Sequence, residues 1–395
     1  MSRRDAIVSY VDAVGHEYKR IALDIHAKPE VSNYEFFACE RLSSQLRDKG
    51  FDVTVDVAGH RTGFIAVYKS GKPGPVIAYL AEYDALAGLG HGCGHNLFGA
   101  TSSLAGDALK QVIDEVGGEV RVYGTPGEEG GENGGAKANY VREGLFKDVD
   151  AALCIHPGAD KHGLTSDALA IDCVNIEFWG KSAHAAGVPE KGINALDALI
   201  LTYNGINALR QHVTSDVRMH GIITDGGKAP NSVPDYAKAQ FYLRAAKAAT
   251  LEEVYAKVAR IVEGAALMTG AKGKMEPYQP RCEDMIKTPS LDAIYQKNLE
   301  YFGETITPPE KSGGIGSTDV GNVSHVVPTM HPHIRITDRP VPGHSEEMKA
   351  ASCSEQGLES ILLGAKLLAF TALDLIEDPA LLATVKADHA RAVQG

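Results

Sequence analysis

Residues 75–88 read PVIAYLAEYDALAG, an apolar run that ends in polar residues and a glycine. The same pattern returns in EVRVYGTPGEEGG at 119–131 and in DAALCIHPG at 150–158. Short apolar runs of this kind, partly β-branched, indicate buried strands. Helix-like stretches lie between them, LFGATSSLAGDALKQVIDEVGG at 97–118 and GAKANYVREGLF at 135–146. Strands that alternate with helices predict an α/β fold with a mostly parallel sheet.

The pattern changes after the third strand. CVNIEFWGKSAH at 173–184 and YAKAQFYLRA at 236–245 alternate apolar and polar residues with period two, and a helical pattern follows each. This order predicts a small two-layer α+β unit with edge-type strands. One long helix is expected at the C-terminus. We therefore expect an α/β domain formed by residues 1–166 and 285–395, interrupted by an inserted α+β domain at residues 167–284.

Composition limits the classes of function. The 395 residues are 44% hydrophobic and 23% charged, which is typical of globular chains with more than one domain. The formal net charge of −12 predicts no binding of nucleic acid or of an anionic membrane. Six scattered cysteines without a CxxC pair favour reduced thiols and a cytoplasmic location. We expect neither a signal peptide nor a membrane span.

The first candidate for chemistry is the loop GHGCGHN at residues 90–96. Its glycines let Cys93 and His95 face one point, just before a helix that Asn96 could cap. Taken alone, the pair could equally be an ordinary buried thiol and a loop histidine. A cysteine protease is disfavoured, because none of the known nucleophile motifs surrounds Cys93.

The second candidate is the turn GTPGEEGGENGG at residues 124–135, which places Glu128 beside Glu129. Adjacent side chains point in different directions, so one carboxylate can bind a metal while the other faces substrate or water. Alone, the turn is more typical of a solvated acidic loop. A phosphate loop is disfavoured, because the turn lacks a GK[ST] sequence and its acids would repel phosphate. His156 in CIHPG and His344 in PVPGHSEEM are, singly, more typical of structural histidines.

Together these residues indicate a metal centre at the edge of the sheet where α/β proteins bind ligands. Thiolate, imidazole and carboxylate groups are the ligands of manganese, zinc and related ions. One thiol, three histidines and a glutamate exceed a single tetrahedral site. They suit two metals that share a bridging ligand and leave positions open for water. The second carboxylate of the glutamate pair is then the expected base for that water.

Seven segments occur in the order known from one enzyme family: AEYDALAGLGHGCGHN, GTPGEEGG, IHPG, FWGKSAHAAGVPEKGINALDA, APNSVP, GSTDVGNVS and PGHSEE. They span nearly the whole chain and resemble the M20 metallopeptidase family. The nearest match is its amidohydrolase branch, which includes aminobenzoyl-glutamate hydrolase-like enzymes and relatives called peptidase M20 domain-containing protein 2. The resemblance implies a catalytic α/β domain with two divalent ions and an inserted lid that forms a homodimer, with a tetramer as the alternative. Manganese or zinc is expected first, and cobalt and nickel also suit these ligands.

The resemblance also implies a role for each candidate ligand. It makes Cys93 the bridging ligand, with His95 and His156 completing one metal position. Glu129 and His344 would complete the other.

Five further residues match family positions that act on substrate or support the site. Glu128 matches the general base, and Asp84 matches an aspartate that supports the metals. His184 matches a lid histidine that reaches the neighbouring subunit's active site and polarises the scissile carbonyl. Asn231 and Arg244 resemble residues that hold the substrate's carboxylate.

The sequence departs from the family pattern in two places. Asn96 stands where many members of this branch have aspartate, and GTPGEEGG replaces the more common QPAEEGGGG. Asn96 and the AEYDAL segment favour the aminobenzoyl-glutamate-like subgroup. His331 and His333 in MHPHI are interpreted as turn or interface residues rather than metal ligands.

The leading hypothesis is metal-dependent hydrolysis of an amide bond in an N-acyl or N-aroyl amino acid or a dipeptide. Three alternatives stay open: an aminopeptidase acting on longer peptides, hydrolytic deamination of an aryl amine, and a non-catalytic binding protein on this scaffold. The intact set of ligands together with Glu128 argues against the last. The sequence leaves the accepted acyl group or amino acid open.

Overall fold

A computed structural model describes residues 1–131, 133–308 and 316–394. The helices are α1 Arg3–Ala27, α2 Phe36–Asp48, α3 His95–Val116, α4 Ala136–Arg142, α5 Ala195–Leu209, α6 Ala248–Thr269, α7 Pro289–Tyr301, α8 Val320–Ser324, α9 Glu346–Ala351, α10 Glu355–Glu377 and α11 Pro379–Gln394. The strands are β1 Asp52–Val57, β2 His60–Lys69, β3 Val76–Ala81, β4 Glu119–Gly124, β5 Ala151–Leu153, β6 His156–Gly158, β7 Ala170–Trp179, β8 Arg218–Asp225, β9 Tyr236–Ala245, β10 Lys272–Pro277, β11 Thr329–Met330 and β12 His333–Arg335.

The first of two compact units comprises the described parts of Met1–Asp167, Met285–Ile315 and Asp319–Gly395. Its six-stranded sheet has the order β1-β2-β4-β3-β5-β11. The pairs β4/β3, β3/β5 and β5/β11 are parallel, while β1/β2 and β2/β4 are antiparallel. The predicted α/β class with a mostly parallel sheet is therefore confirmed.

The apolar runs of this unit become its central strands because helices cover them. Residues 77–81 of β3 are fully buried, and α3 packs against β3 as well as against α1 and α10. A strand covered in this way reads as a continuous apolar run rather than an alternating one. The carboxyl ends of β3, β4 and β5 lie at one edge of the sheet, so the polar residues that follow them are brought together.

The second unit comprises Ala168–Asp284 and Gly316–Thr318. Its antiparallel sheet has the order β10-β7-β9-β8, and α5 and α6 pack against β7 and β9. The prediction that β7 and β9 are edge strands was wrong, because they form the central pair and the edges are β8 and β10. Alternation of apolar and polar residues shows that only one face of a strand is packed. It does not show whether the strand is hydrogen-bonded to one neighbouring strand or to two.

The prediction of one long C-terminal helix was also wrong, because the chain breaks between α10 and α11. Pro379 begins α11, where its missing N–H is not needed. The Asp378 carboxylate accepts hydrogen bonds from the backbone N–H groups of Ala380 and Leu381. Across the described residues, the helices are too short or too polar to span a membrane.

Candidate metal centre

The loop before α3 turns sharply at Gly94, which lies between Cys93 and His95. Gly94 has φ +84°, and a Cβ at this position would lie 2.9 Å from Cβ of Pro157. Only glycine can adopt this positive φ and also avoid a close contact with Pro157 without strain. This turn lets the Cys93 and His95 side chains face the same point, as the sequence predicted.

Asn96 does not cap α3, so that prediction was wrong. The helix begins one residue earlier, and Gly94 is its N-cap. The Asn96 amide is buried and donates hydrogen bonds to the backbone carbonyls of Ala22 (3.2 Å) and Ser352 (2.9 Å). An aspartate could not donate to either carbonyl, which gives a physical reason for asparagine at this position.

Three side chains form what we call the inner position: Cys93, His95 and His156. Their ligand atoms all lie within 4.8 Å of one another, and Cys93 Sγ is 3.4 Å from His156 Nε2. Nδ1 of His156 faces the Pro157 carbonyl (2.8 Å), and Nδ1 of His95 faces Asp84 Oδ1 (2.8 Å). The His156 ring thus donates through Nδ1 and keeps the lone pair of Nε2 for an ion, and the Asp84 contact directs Nε2 of His95 toward the same point.

Cys93 also belongs to the outer position, together with Glu129 and His344. These ligand atoms again lie within 4.8 Å of one another, and His344 Nε2 is 3.5 Å from Glu129 Oε2. The backbone N–H of His344 donates to the Gly92 carbonyl (3.0 Å), and His344 adopts φ +55°. Unlike the inner ligands, 58% of the His344 side chain is exposed.

The donor atoms fit divalent ions. Glu129 Oε1 is buried, has no hydrogen-bond partner among the described residues and lies 4.0 Å from His95 Nε2. Ligand atoms of a tetrahedral ion lie roughly 3.3–3.7 Å apart, and the Cys93–His156 and Glu129–His344 pairs fall within or near that range. Burial and the neighbouring histidines His333 and His331 lower the pKa of His156 well below its usual value, so this ring is neutral, as a ligand must be.

The acidic turn after β4 is fixed through its backbone. The N–H of Glu129 donates to Asp84 Oδ2 (2.9 Å), and the N–H of Gly127 donates to Glu35 Oε1 (3.0 Å). Glu128 stands between these two anchored residues. Burial and the nearby Glu82 and Glu129 carboxylates raise the pKa of Glu128 well above its usual value.

A buried ion cluster that the sequence did not predict lies beside His95. Lys137 is fully buried, and its Nζ is 2.8 Å from Glu82 Oε1 and 2.5 Å from Asp319 Oδ1. Burial lowers the pKa of Lys137, but the Asp319 and Glu82 carboxylates outweigh burial and raise the pKa well above its usual value. The other Glu82 oxygen is 3.2 Å from His95 Nε2, and Glu82, His95 and Glu128 also lie within ligand range of one another.

His331 and His333 lie next to the inner position rather than in a turn. His333 begins β12 and pairs with His156 of β6, so the prediction of a turn was wrong there. The ring centroids of His331 and His333 are 5.6 and 5.4 Å from that of His156. His331 is buried, and its Nε2 has no hydrogen-bond partner among the described residues. Both rings therefore help to hold the His156 ring in place.

The remaining predicted site residues lie in the second unit. Nδ1 of His184 accepts hydrogen bonds from the backbone N–H groups of Gly187 (3.0 Å) and Ala186 (3.3 Å), so its exposed Nε2 carries the proton of the neutral ring. Asn231 lies beside this segment, because its carbonyl accepts from the N–H of residue 185 (3.0 Å). Arg244, on β9, donates from Nη1 to Ser317 Oγ (2.9 Å).

Known proteins resemble this chain in sequence and in fold. The family model of the M20 peptidase dimerisation domain matches residues 171–268. One of the p-aminobenzoyl-glutamate hydrolase subunits of Escherichia coli is 39% identical over 313 residues, which cover 74% of this chain and 64% of that protein. The Xaa-Arg dipeptidase of Mus musculus is 36% identical over 316 residues, which cover 78% of this chain and 72% of that enzyme. The chain belongs to the M20 peptidase family.

The resemblance seen in the sequence of this M20 chain is thereby confirmed. The solved structure of an aminobenzoyl-glutamate utilization protein from Klebsiella pneumoniae shares the fold, with a TM-score of 0.71 at 19% identity over 90% of this chain and 97% of that one. The M20 chain spans less than two thirds of the length of its Escherichia coli relative, so the activity of that whole protein carries over only as a proposal.

Proposed function

We propose that this M20 chain hydrolyses the amide bond of N-acyl or N-aroyl amino acids, or of dipeptides, with two divalent ions. One observation carries the proposal: two groups of ligand atoms share Cys93, and Glu128 lies beside them without belonging to either. The names of the two curated relatives describe hydrolysis of small amides, an aminobenzoyl-glutamate and a dipeptide.

Cys93 would bridge the two ions, with His95 and His156 at the inner position and Glu129 and His344 at the outer one. When bound, such ions lower the pKa of a water molecule and polarise the amide carbonyl. Manganese and zinc suit this mixture of sulfur, nitrogen and oxygen, and cobalt and nickel are also compatible. Asp84 keeps the His95 ring in the required tautomer through Nδ1.

Glu128 acts as the general base. Its carboxylate takes a proton from the attacking water and then delivers that proton to the leaving nitrogen. Its neighbour Glu129 serves instead as an ion ligand, because the two side chains leave the turn in different directions. This division of the pair makes a direct test possible.

The test compares Glu128→Gln with Glu129→Gln in protein loaded with manganese or zinc. Glu128→Gln should keep both ions and the fold but lose about 10²–10⁴ in turnover, the usual contribution of a placed acid or base. Glu129→Gln should lose the outer ion. Elemental analysis and turnover measured on the same samples check both, and the reverse pattern would refute the assignment.

The substrate class is tested by a screen at fixed ion content. The panel contains p-aminobenzoyl-glutamate, N-acetyl amino acids, Xaa-Arg dipeptides and tripeptides with free N-termini. We expect hydrolysis of blocked amino acids or dipeptides and none of the tripeptides. Preference for the tripeptides would favour the aminopeptidase alternative, and release of ammonia from an aryl amine would favour deamination.

We further propose a cytoplasmic homodimer in which His184 completes the partner's site. The Nε2–H of His184 is free to donate to a carbonyl oxygen as negative charge develops on it. Asn231 and Arg244 would hold the substrate's carboxylate. Exposed Ile222 and Ile223 on the edge strand β8 favour association, because apolar strand edges pair readily.

Action across the subunits can be tested by mixing inactive chains. His184→Ala and Glu128→Gln each remove one residue of a site, but a mixed dimer contains one site with both residues intact. Activity should therefore return after subunit exchange. Exchange demonstrated by mass-labelled chains without any return of activity would show that His184 does not act in the partner's site.

A further inference from the structure

The backbone of the acidic turn is anchored on both sides of Glu128. The Glu129 N–H is held by Asp84, which also holds His95. The Gly127 N–H is held by Glu35, whose side chain also accepts from the Thr62 hydroxyl and from the backbone N–H groups of Asn33 and of Glu35 itself. None of these partners is a candidate ion ligand. Glu35 is therefore the anchor of this turn that can be changed without changing a contact to a ligand.

The contacts of Glu35 differ from those of a residue that only stabilises the start of its own helix. It is the N-cap residue of α2, yet its side chain makes no capping hydrogen bond to that helix. Instead the fully buried carboxyl group accepts from Gly127 N–H at Oε1 (3.0 Å) and from the Thr62 hydroxyl at Oε2 (2.8 Å). Burial and the nearby Asp84 raise the pKa of Glu35 to about 8. Its hydrogen-bond partners lie in the acidic turn, in β2 and in the segment just before α2, rather than within that helix.

Gly127 leaves the turn little freedom once Glu35 holds it. Its φ is +76°, and a Cβ there would lie 3.1 Å from Nδ2 of Asn33. Its carbonyl accepts a hydrogen bond from the N–H of Gly135 (2.7 Å). The peptide groups on both sides of Gly127 are thus fixed immediately before Glu128.

We propose that Glu35 is a positioning residue that holds the Glu128 carboxylate at the point required for proton transfer. This rests on the function proposed above, in which Glu128 is the base. A base must lie within hydrogen-bond reach of its proton, and a misplacement of about 1 Å can cost about 10² in rate. Loss of the Glu35 anchor should therefore lower turnover while ion binding is kept.

The experiment uses Glu35→Met, Glu35→Gln and the control Glu40→Met in the full chain. Methionine fills the buried space but offers Gly127 no oxygen, whereas glutamine keeps an oxygen for that N–H. Glu40 lies on the exposed side of the same helix. Thr62→Val, which removes only the hydroxyl that fixes the other Glu35 oxygen, gives a milder form of the same change if the methionine variant does not fold.

Two readouts are needed, hydrogen exchange of the peptides that cover residues 124–131, and kcat, KM and ion content. Glu35→Met should speed exchange in these peptides but not in those of α3, and should lower kcat by roughly 10–10² at unchanged KM and ion content. Glu35→Gln should restore both readouts to near the unaltered level. Glu40→Met should change neither.

Three outcomes with Glu35→Met would overturn the proposal: unchanged exchange in the turn, faster exchange throughout the chain, or faster exchange in the turn with unchanged kcat. Failure of glutamine to rescue would also overturn it, because an oxygen acceptor would then not be what matters. If the unaltered chain hydrolyses no amide on the panel, the proposed function fails. Exchange in the metal-free chain then still decides whether Glu35 fixes this turn.

Discussion

The two candidate ion positions share Cys93 but are built from different kinds of structure. The inner position takes its histidines from the first residue of a long helix and the first residue of a strand, His95 and His156. The outer position takes Glu129 and His344 from turns, and most of the His344 side chain is exposed. His95 and His156, on regular elements, need no ordering when an ion binds, whereas the exposed His344 does. We expect the inner ion to bind more tightly and to exchange more slowly.

The largest effect is expected from Cys93→Ala, because this change removes a ligand from both positions at once. The variant should lose both ions and all hydrolytic activity while it keeps its fold. Elemental analysis after gel filtration, with circular dichroism as the check on folding, measures this. Retention of one full ion would show that Cys93 does not bridge, and the comparison would then concern two separate sites.

The next effect separates the two positions. His344→Ala should remove the outer ion and leave the inner one, so the ion content should fall to about half. His156→Ala should remove the inner ion and also weaken the outer one, because Cys93 then loses the contact at 3.4 Å that orients it. Ion titrations of both variants check this order. Equal losses in the two variants would contradict a difference in strength between the positions.

A smaller effect is expected at Asp84, which accepts hydrogen bonds at both oxygens, from His95 and from the Glu129 backbone. Asparagine has one oxygen acceptor, so Asp84→Asn must lose one of the two bonds. We expect a loss of about 10–100-fold in ion affinity, the usual cost of removing a partner of a ligating histidine. Competition with a chelator of known affinity measures the change. An affinity unchanged within error would show that Asp84 does not orient the ligands.

The smallest effect concerns the support of the turn that carries the outer ligand. His60 Nδ1 donates to Asn33 Oδ1 (2.7 Å) and Nε2 accepts from Asn139 (2.7 Å), while Asn33 also binds the carbonyl of Asn133 (2.7 Å). Protonation of His60 at Nε2 would place an N–H opposite the amide N–H of Asn139, so that two donors would face each other. Burial lowers the pKa of His60 from 6.5 to about 4.

This lowered pKa fixes the direction of the pH dependence. Between pH 6.5 and about 4 the unfolded chain binds a proton at His60 that the folded chain does not. The free energy of unfolding should therefore fall as the pH is lowered through this range. His60→Gln, which can keep both hydrogen bonds, should give a shallower fall. Denaturant titrations at pH 7 and pH 5 compare the two chains, and parallel curves would exclude His60 as a cause.

The fold was largely predictable because its pattern is local. A strand covered by helices on both faces must be apolar throughout, so residues 75–88, 119–131 and 150–158 indicated the parallel sheet directly. The order of strands within a sheet depends on contacts between distant residues. That is why β7 and β9 were predicted at the edges although they lie in the centre.

The candidate ligands were predictable for a similar reason, since each lies beyond the carboxyl end of a strand in a segment rich in glycine or proline, and the structure brings them together. Their roles stay predictions. Glu82, Lys137 and Glu35 were not found, because a buried charge has no signature of its own in a sequence. Lys137 lies in a short helix and reads as an ordinary surface lysine. Only the fold places it between two carboxylates.

The exposure of His344 has a practical consequence for anyone who purifies this protein. If His344 holds an outer ion as proposed, that ion should exchange with the buffer faster than the inner one, and contact with a nickel affinity resin should replace it. In such a preparation, the metal at the outer position would come from the resin, whereas the metal at the inner position would be the one bound in the cell. Growth with one defined metal and a tag-free purification would preserve the metal that each position bound in the cell.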